Sequence, residues 1–570
     1  MSPNGQRQSR SPLRHPALVL LAAAALLLAP SLLLGTLPSH SSMHNLTWAA
    51  QFSEQFRASI VYPRWLSDSF NGLGAPTFYF YSPIAFWVDA LLTVATFNAF
   101  SVSYRLSLSW LLMLWASGIA MHAWLKTEAA SPRVALYGAL AYMAAPYHLL
   151  DHYYRGAYAE FAAYVVLPLI ALAVRQIADG RRFGVALLAL SYAALPMAHL
   201  PTALLISVTV LPMHVLYRGW RLAETRRSVS FFARCALGGA LGLGLAAIYL
   251  LPALTLQDWI PAETFWAAYY QPQNWFLLTP ERWPLPVEMM QIIQWVAAAY
   301  FLAAIAVVAI VAHGSVPQER TSEAAFWASV CIVCSLLVAG ALPWFWQVPL
   351  IAKVQFPWRL MIVVEFAAIT AICLVPLQVR SRATSLVLVA AIVALTCSVV
   401  NMAQGVVTRG RLALRQQEMP RELGQFVPVG FPHRLSAGFA EPDLAPLKDA
   451  PTISCAPVAG VCRAESERFG SMRIEVDGEQ PTTVTLHRFY FPAWQLDPGL
   501  PLKATDPYRL VSFTAPTGSH VYHLRRASLP EERVGWMVSA LSASLLLAWT
   551  VAAWLGINFA RHKLADRSSR

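Results

Sequence analysis

The chain has 570 residues, of which 57% are hydrophobic and 13% are charged, whereas soluble globular chains carry about twice that charged fraction. Its formal net charge is +12, but most Lys and Arg residues lie in short stretches between apolar runs, where the positive-inside rule places them. This composition excludes an ordinary soluble domain, gives no support to nucleic-acid binding, and predicts a polytopic α-helical membrane protein.

The apolar runs have the length that crosses a bilayer core, about 20 residues. A basic tail, residues 1–16, precedes the first run, which is long for a signal peptide and lacks a small-residue cleavage pattern, so we expect a retained helix. About twelve spans follow from this reading. They are Ala17–Leu37, Ser103–Leu125, Val134–Leu150, Phe161–Ala178, Phe183–Met197, Thr202–Tyr217, Cys235–Leu254, Gln291–Ala312, Ala324–Leu342, Leu360–Leu377, Thr384–Met402 and Val534–Phe559.

The segment Ser82–Phe100 decides the orientation of the chain. If it were a further span, the Arg-rich clusters at 175–182 and 218–227 would fall outside the membrane. If it lies in the membrane interface instead, these clusters fall inside, as the positive-inside rule requires. Asp89 within this segment favours the same choice, because a carboxylate at the bilayer centre is costly. We therefore predict that both termini are cytoplasmic and that residues 38–102 form a long outer loop.

Within this loop, Val61–Trp87 holds three prolines, two glycines and nine aromatic residues. Proline and glycine set turns that a spanning helix does not hold, while Trp and Tyr suit the level of the lipid headgroups. The preceding segment, His44–Arg57, has the pattern of an amphipathic helix on the membrane surface. The loop is either an anchored connector or part of a binding site.

A soluble region, residues 403–533, precedes the last helix and basic tail, residues 534–570. It contains short alternating segments such as "SMRIEVDG", "TTVTLHRFYF" and "HVYHLRRA", separated by Gly and Pro, which predict a β-rich, sandwich-like extracytoplasmic domain. Cys455 and Cys462 lie in this domain, and an oxidising compartment would favour a disulfide between them. Residues 17–402 then form the main transmembrane domain.

Polar side chains gather at the outer ends of the predicted spans. "APYHLLDHYYRGAYAEF" carries Asp151, Arg155 and Glu160, "PMAHLPTAL" carries His199, and "AKVQFPWRLMIVVEF" carries Arg359. Arginines hold phosphate oxygens bidentately, and a carboxylate or a histidine can take a proton from a hydroxyl group. Each residue also has a structural interpretation, as a cation that reaches the headgroups, a packed histidine or an ion pair. Together they predict a site for an anionic, lipid-linked ligand.

The sequence lacks the nucleotide-binding glycine patterns and the H-E-x-x-H zinc motif. If the protein catalyses a reaction, the energy comes from the substrate rather than from a bound nucleotide.

Five segments, "YPRW", "GLGAPTFYFYSP", "YRGAYAEF", "AHLPTAL" and "VQFPWR", occur in this order between residues 62 and 359. They resemble the bacterial membrane proteins described as 6-pyruvoyl-tetrahydropterin synthase-related, although no residue pattern suggests pterin chemistry. The outer β-rich region, with "FYFPAWQLDPG" and "APTGSHVYHL", resembles the C-terminal part of bacterial membrane proteins that glycosylate envelope polymers. The whole arrangement is similar to that of GT-C glycosyltransferases.

The GT-C resemblance implies a polyprenyl-phosphate sugar donor and an essential carboxylate in the first outer loop. Here the corresponding run, "SHSSMHNL", has Ser41 and Ser42 where an acid is expected. Either another carboxylate takes the role of base, or the chain is not a catalyst. The candidate catalytic residues are Glu54, Asp68, Asp151, Glu160 and His199. The candidate substrate-binding residues are Arg64, Trp65, Tyr79, Tyr81, Arg155, Gln355, Trp358 and Arg359.

The resulting hypothesis is a multi-pass glycosyltransferase of the bacterial inner membrane. It would transfer a sugar from a polyprenyl-phosphate donor to an envelope polymer or glycolipid on the outer face, surrounded by membrane lipids. The expected cofactor set is open: none is certain, and a divalent Mg or Mn ion would suit the carboxylates. Two alternatives stay open, a transporter or flippase for a lipid-linked or anionic solute and a non-catalytic envelope-assembly protein.

Overall fold

The computed structural model describes residues 15–128, 131–222, 224–283, 287–312, 318–375, 426–436 and 439–568, with isolated positions between 386 and 408. Its α-helices are α1 (Pro16–Leu27), α2 (Ala29–Leu34), α3 (Ser42–Arg57), α4 (Thr77–Phe80), α5 (Ile84–Ala95), α6 (Val102–Thr127), α7 (Pro132–Met143), α8 (Pro146–Leu150), α9 (Tyr158–Ala178), α10 (Gly184–Ala198), α11 (Leu200–Val208), α12 (Val210–Trp220), α13 (Thr225–Leu245), α14 (Ala247–Thr255), α15 (Val287–Ala312), α16 (Gln318–Ala339), α17 (Pro343–Trp346), α18 (Pro349–Ala352), α19 (Met361–Leu374) and α20 (Pro530–Ser568).

Across these described ranges, eight helical segments are long and apolar enough to cross a membrane. They are Val102–Thr127, Tyr158–Ala178, Leu200–Trp220, Thr225–Leu245, Val287–Ala312, Arg320–Ala339, Pro357–Leu374 and Pro530–Leu555. The predicted polytopic helical architecture is therefore confirmed.

Four predicted spans are divided in the structure. Two of them are Thr202–Tyr217, which is divided between α11 and α12 at Thr209, and Cys235–Leu254, which is divided between the helices that end at Leu245 and begin at Ala247. Ala17–Leu37 forms α1 and α2, and the break lies beside Pro30, whose ring cannot continue an existing helix. Val134–Leu150 ends as α7 just before Pro146, which begins α8. The predicted span Phe183–Met197 is not divided and corresponds to α10, which has the same length of 15 residues. Thr384–Met402 lies outside the described ranges, apart from isolated positions.

Residues 38–102, which the sequence predicts to be the first outer loop and which keep that name below, fold into helices α3, α4 and α5 with tight turns between them. The predicted surface helix His44–Arg57 corresponds to α3, and aromatic rings fill the space between the three helices. The ring of Phe78 lies 4.7 Å from that of Phe52 and 4.8 Å from that of Phe86. Ring contacts of this kind stabilise a core beyond their buried area, so the loop is a packed element and not a loose connector.

The C-terminal region forms the predicted β-rich domain. Its strands are β1 (His433–Ser436), β2 (Phe439–Pro442), β3 (Ile453–Ala456), β4 (Val461–Ser466), β5 (Met472–Gly478), β6 (Thr482–Phe489), β7 (Trp494–Asp497), β8 (Lys503–Thr505), β9 (Leu510–Ala515) and β10 (Gly518–Arg526). Two antiparallel four-stranded sheets have the orders β4-β5-β10-β7 and β3-β6-β9-β8. A disulfide between Cys455 in β3 and Cys462 in β4 joins the two sheets.

The β-domain and the last helix rest on the first outer loop. The indole of Trp65 lies 5.2 Å from that of Trp494, at the start of β7. The Arg64 guanidinium lies 3.3 Å from the Glu532 carboxylate at the start of α20, and Tyr79 donates a 2.6 Å hydrogen bond to the same carboxylate. All of these side chains are buried, so the C-terminal part packs against this side of the loop. We call Arg64, Trp65 and Tyr79 the docking surface.

Candidate functional site

A buried cluster of charges lies where α8, α9 and α19 meet. Arg155 forms ion pairs with Asp151 and with Glu160, at 2.9 Å from the latter. It also donates a 2.7 Å hydrogen bond to the hydroxyl of Tyr147, which itself donates to Glu160 at 2.6 Å. Arg359 approaches Glu160 from α19's side, with its Nε at 3.6 Å. The sequence-predicted residues Asp151, Arg155, Glu160 and Arg359 therefore share one network, which we call the acid–arginine cluster.

A local irregularity of the helix brings the cluster together. Residues Asp151–Arg155 form a single π-helical turn, a widening that is frequent at functional sites. Gly156 ends the turn with a left-handed φ of 61°, which costs glycine little. A Cβ at this glycine would lie 2.2 Å from Ser39 Oγ. The sharp reversal lets α9 begin at once, so that Glu160 in its first turn faces Arg155.

Glu365 holds this segment from α19. Its carboxylate accepts hydrogen bonds from the backbone N–H groups of Tyr147 and His148, at 2.7 and 3.2 Å, and from the hydroxyl of Tyr164 at 2.8 Å. The side chain is fully buried. It satisfies the free N–H groups at the start of α8 and thereby positions the acid–arginine cluster.

A cavity of about 230 Å³ adjoins the cluster. Its polar lining includes His199, Lys353, Gln355 and Arg359, and its apolar wall includes the aromatic side chains Phe80, Tyr81, Tyr249, Phe265, Trp266 and Phe426. The cavity lies at the N-terminal ends of α11 and α19. Cations beside aromatic faces suit an anionic group attached to a lipid or a sugar.

The loop between α14 and α15 covers one side of this cavity. Lys353 Nζ lies 4.5 Å from the ring centre of Trp266 in this loop. Gln355 donates a 2.7 Å hydrogen bond to the carbonyl of Phe265 and accepts one of 3.2 Å from Arg359. Gln355 has a left-handed φ of 74°, a strained backbone that collects at binding sites. The side chain of Gln355 thus links this loop to Arg359 through two hydrogen bonds.

His199 lies in the break between α10 and α11 and lines the cavity. Its Nδ1 is 2.7 Å from the Thr202 hydroxyl. Burial lowers the pKa of His199 to about 3, with a smaller opposing effect from Glu160 and a further lowering effect from Arg359. The imidazole is therefore neutral at physiological pH and presents a hydrogen-bonding group to the cavity.

The other predicted residues lie in different places. Tyr81 lines the cavity, and Trp358 lies beside the acid–arginine cluster, with its ring centre 5.9 Å from Arg155 Cζ. Arg64, Trp65 and Tyr79 form the docking surface for the β-domain instead.

Glu54 and Asp68 line a separate cavity of about 360 Å³ between α3 and the β-domain, together with Arg468 and Phe469. Both carboxylates are exposed. The thirteen predicted positions thus lie in three places, which are the acid–arginine cluster with the adjoining cavity, the docking surface and this separate cavity.

The sequence reasoning did not select several side chains that the structure brings to the site. Tyr147 lies within one of the quoted segments, but its hydrogen bonds with Arg155 and Glu160 have no signal in the sequence. Trp266, Phe265 and Phe426 come from distant loops and join the wall only through folding.

The sequence left open whether a divalent metal ion binds. In the part of the chain that the structure describes, no three His, Cys, Asp or Glu side chains group so that they could hold a metal ion. Asp151 and Glu160 are already engaged by Arg155.

Comparison with known proteins gives one family match. The family model described as "6-pyruvoyl-tetrahydropterin synthase related domain; membrane protein" matches residues 78–405. No curated protein matches the chain. Among solved structures, the cryo-electron microscopy structure of the arabinofuranosyltransferase AftD from mycobacteria is similar, with 16% identity and a TM-score of 0.42. The match covers 69% of this chain and 27% of that one.

Proposed function

This chain belongs to the 6-pyruvoyl-tetrahydropterin synthase-related family of membrane proteins, and from that premise we propose that it is a GT-C-type glycosyltransferase. It would use a polyprenyl-phosphate sugar as donor and an envelope polymer or glycolipid as acceptor, on the outer face of the inner membrane. The observation that carries the proposal is the cavity at the end of the helical bundle, where Lys353, Arg359 and His199 face aromatic walls.

In this proposal Lys353 and Arg359 bind the phosphate of the donor. The acceptor hydroxyl attacks the anomeric carbon, and the bond from that carbon to the phosphate oxygen breaks. The phosphate leaves with the electron pair, and the two cations stabilise its charge. The carboxylate of Glu160 in the acid–arginine cluster positions Arg359 by an ion pair.

His199 takes the proton of the acceptor hydroxyl. The charge of Arg359 contributes to the low pKa of His199, after the larger effect of burial. A bound phosphate offsets that charge and so raises the pKa of the imidazole, which makes it a better base when the donor is present.

The test uses full-length protein purified in detergent and a panel of radiolabelled polyprenyl-phosphate sugars, with release of polyprenyl phosphate as the measurement. We expect wild type to release polyprenyl phosphate from one donor and Arg359→Gln to lose at least 100-fold in rate, since an electrostatic contact to the developing charge contributes at this level. Arg282→Gln is the matched control, because Arg282 is exposed and does not line the cavity. Absence of release from every donor, or equal loss in both variants, contradicts the proposal.

A lipid-linked carrier is the second candidate, and one observation favours it. The helical segment Leu200–Trp220 is interrupted at Thr209, where the backbone leaves helical geometry, and interrupted helices are common in transporters. Retention of an intact donor lipid without turnover would support this candidate over the transferase.

A further inference from the structure

The end of the helical bundle opposite the candidate site carries a second polar region. Helix α9 has 21 residues and therefore spans about 30 Å, from Glu160 in its first turn to Asp179 just after its end. Arg181 and Arg182 follow in the turn to α10. At the same end, α13 begins with Thr225 and α20 passes close by, since Arg182 donates a 3.2 Å hydrogen bond to the carbonyl of Ala553.

Two cavities open between these helices. One, of about 410 Å³, is lined by Arg226, Arg227, Arg234 and Ser230, together with Glu224. The other, of about 240 Å³, is lined by Arg181, Arg182, Arg234, Val185, Trp549, Ala552 and Ala553. Arg234 lines both cavities. We call the two together the basic double cavity.

The arginines of this double cavity have no acidic partners among the described residues. Nearby cations behave differently: Arg175 and Arg218 both form ion pairs with Glu128, at 3.2 and 2.8 Å. Among the side chains that the structure describes, Glu224 is the single carboxylate that lines the double cavity, and it is exposed. Five guanidinium groups, each with five N–H donors, therefore line the two cavities, and no described carboxylate forms an ion pair with them. The positive-inside rule accounts for their side of the membrane but not for the hollows between them.

We propose that the basic double cavity binds the phosphate headgroup of an anionic membrane phospholipid. Guanidinium groups bind phosphate oxygens bidentately, and the Ser230 hydroxyl adds a donor. The apolar side chains of Val185, Ala552 and Ala553 offer a path for an acyl chain along α10 and α20, while Trp549 suits the headgroup level. Basic pockets between membrane helices recognise anionic lipids in this way. The site is independent of the proposed transferase reaction and lies at the other end of the bundle.

The test measures lipid retention by full-length protein that has been delipidated in a neutral detergent. Native mass spectrometry compares phosphatidylglycerol with phosphatidylcholine of the same acyl chains. We expect wild type to retain phosphatidylglycerol selectively and Arg234→Gln to retain about fivefold less, which corresponds to the contribution of about 1 kcal/mol for one cation near a membrane surface. Arg227→Gln is a second variant with the same expected direction.

Arg133→Gln is the matched control. Arg133 lies at the same end of the bundle, in the first turn of α7, is exposed and lines neither cavity, so it removes the same charge elsewhere. Equal loss in Arg133→Gln, or equal retention of both lipids by wild type, overturns the proposal. Displacement of phosphatidylglycerol by an equal concentration of glycerol 3-phosphate overturns the assignment to a lipid, because it shows a site for free anions.

Discussion

Among single residues, Glu365 illustrates how a buried carboxylate can be satisfied without a cation. Two backbone N–H groups and one tyrosine hydroxyl donate to it. Buried intramembrane carboxylates tend to be functional, and here the partners indicate a positioning role. Each hydrogen bond fixes the segment that carries Asp151 and Arg155, so the effect of Glu365 on the site is exerted through the backbone.

We expect Glu365→Ala to lower the melting temperature of the purified protein more than Glu365→Gln does. Alanine leaves buried donors without an acceptor, at a cost of about 1–3 kcal/mol for each, whereas the glutamine carbonyl can still accept from one of them. Thermal unfolding followed by tryptophan fluorescence is the measurement. Equal melting temperatures for the two variants would show that these hydrogen bonds do not stabilise the fold.

At the scale of elements, the turn from the π-helical segment to α9 depends on Gly156. Its left-handed backbone and the close approach of Ser39 both disfavour a side chain. The same turn receives Asn45 of α3, whose side-chain amide donates to the Gly156 carbonyl at 2.8 Å. One glycine thus joins the start of the outer loop to the acid–arginine cluster.

Gly156→Ala should destabilise the protein more than Gly180→Ala. Both glycines have a positive φ, but no atom of the described residues lies within 4 Å of a Cβ at Gly180, so that variant has only the backbone cost of about 1 kcal/mol. The comparison is made by thermal unfolding. Adding Ser39→Gly to Gly156→Ala should recover part of the loss, and failure to recover any of it would contradict the steric explanation.

The disulfide between β3 and β4 is the second feature at this scale. It closes a short loop, with a sequence separation of 7, and loops of this size contribute about 2 kcal/mol by restricting the unfolded chain. We expect the double variant Cys455→Ser/Cys462→Ser to be cleaved faster by protease within the β-domain than wild type. Reducing agent should accelerate cleavage of wild type and leave the double variant unchanged. An effect of reductant on the double variant would point to another target.

At the scale of the whole molecule, the first outer loop connects the two parts of the protein. Arg64, Trp65 and Tyr79 hold the β-domain and the start of α20 on one side of the loop, while Tyr81 reaches the cavity on the other. The aromatic and proline-rich stretch Val61–Trp87 therefore both contacts the β-domain and forms part of the wall of the cavity. Contacts between residues far apart in the sequence place the β-domain against this loop.

Arg64→Gln and Glu532→Gln should each loosen this docking, and the double variant should lose less than the sum of the two. Removal of one partner leaves a buried charge unpaired, which costs about 3–5 kcal/mol, whereas removal of both leaves none. Limited proteolysis at the junction between the β-domain and α20, evaluated as a double-mutant cycle, measures the coupling. Strict additivity would show that the two residues do not interact.

The amino-acid sequence by itself determined the helical membrane architecture, the β-rich region, and the gathering of Asp151, Arg155, Glu160, His199 and Arg359 near one end of the bundle. These features follow from apolar length, strand alternation and the cost of charge in lipid, which are local properties of the chain. The family resemblance also rested on local features, five short segments, and the match to the family model confirmed it.

Tertiary structure alone decided which polar residues meet. Trp266, Phe426 and Tyr249 reach the cavity from distant segments, and Glu365 meets Tyr147 across more than 200 positions. The docking role of Arg64 depends on Glu532, which follows the β-domain in the sequence. Such pairings arise from the packing of helices against one another, and packing is set by shape and burial over the whole fold rather than by any pattern within a segment.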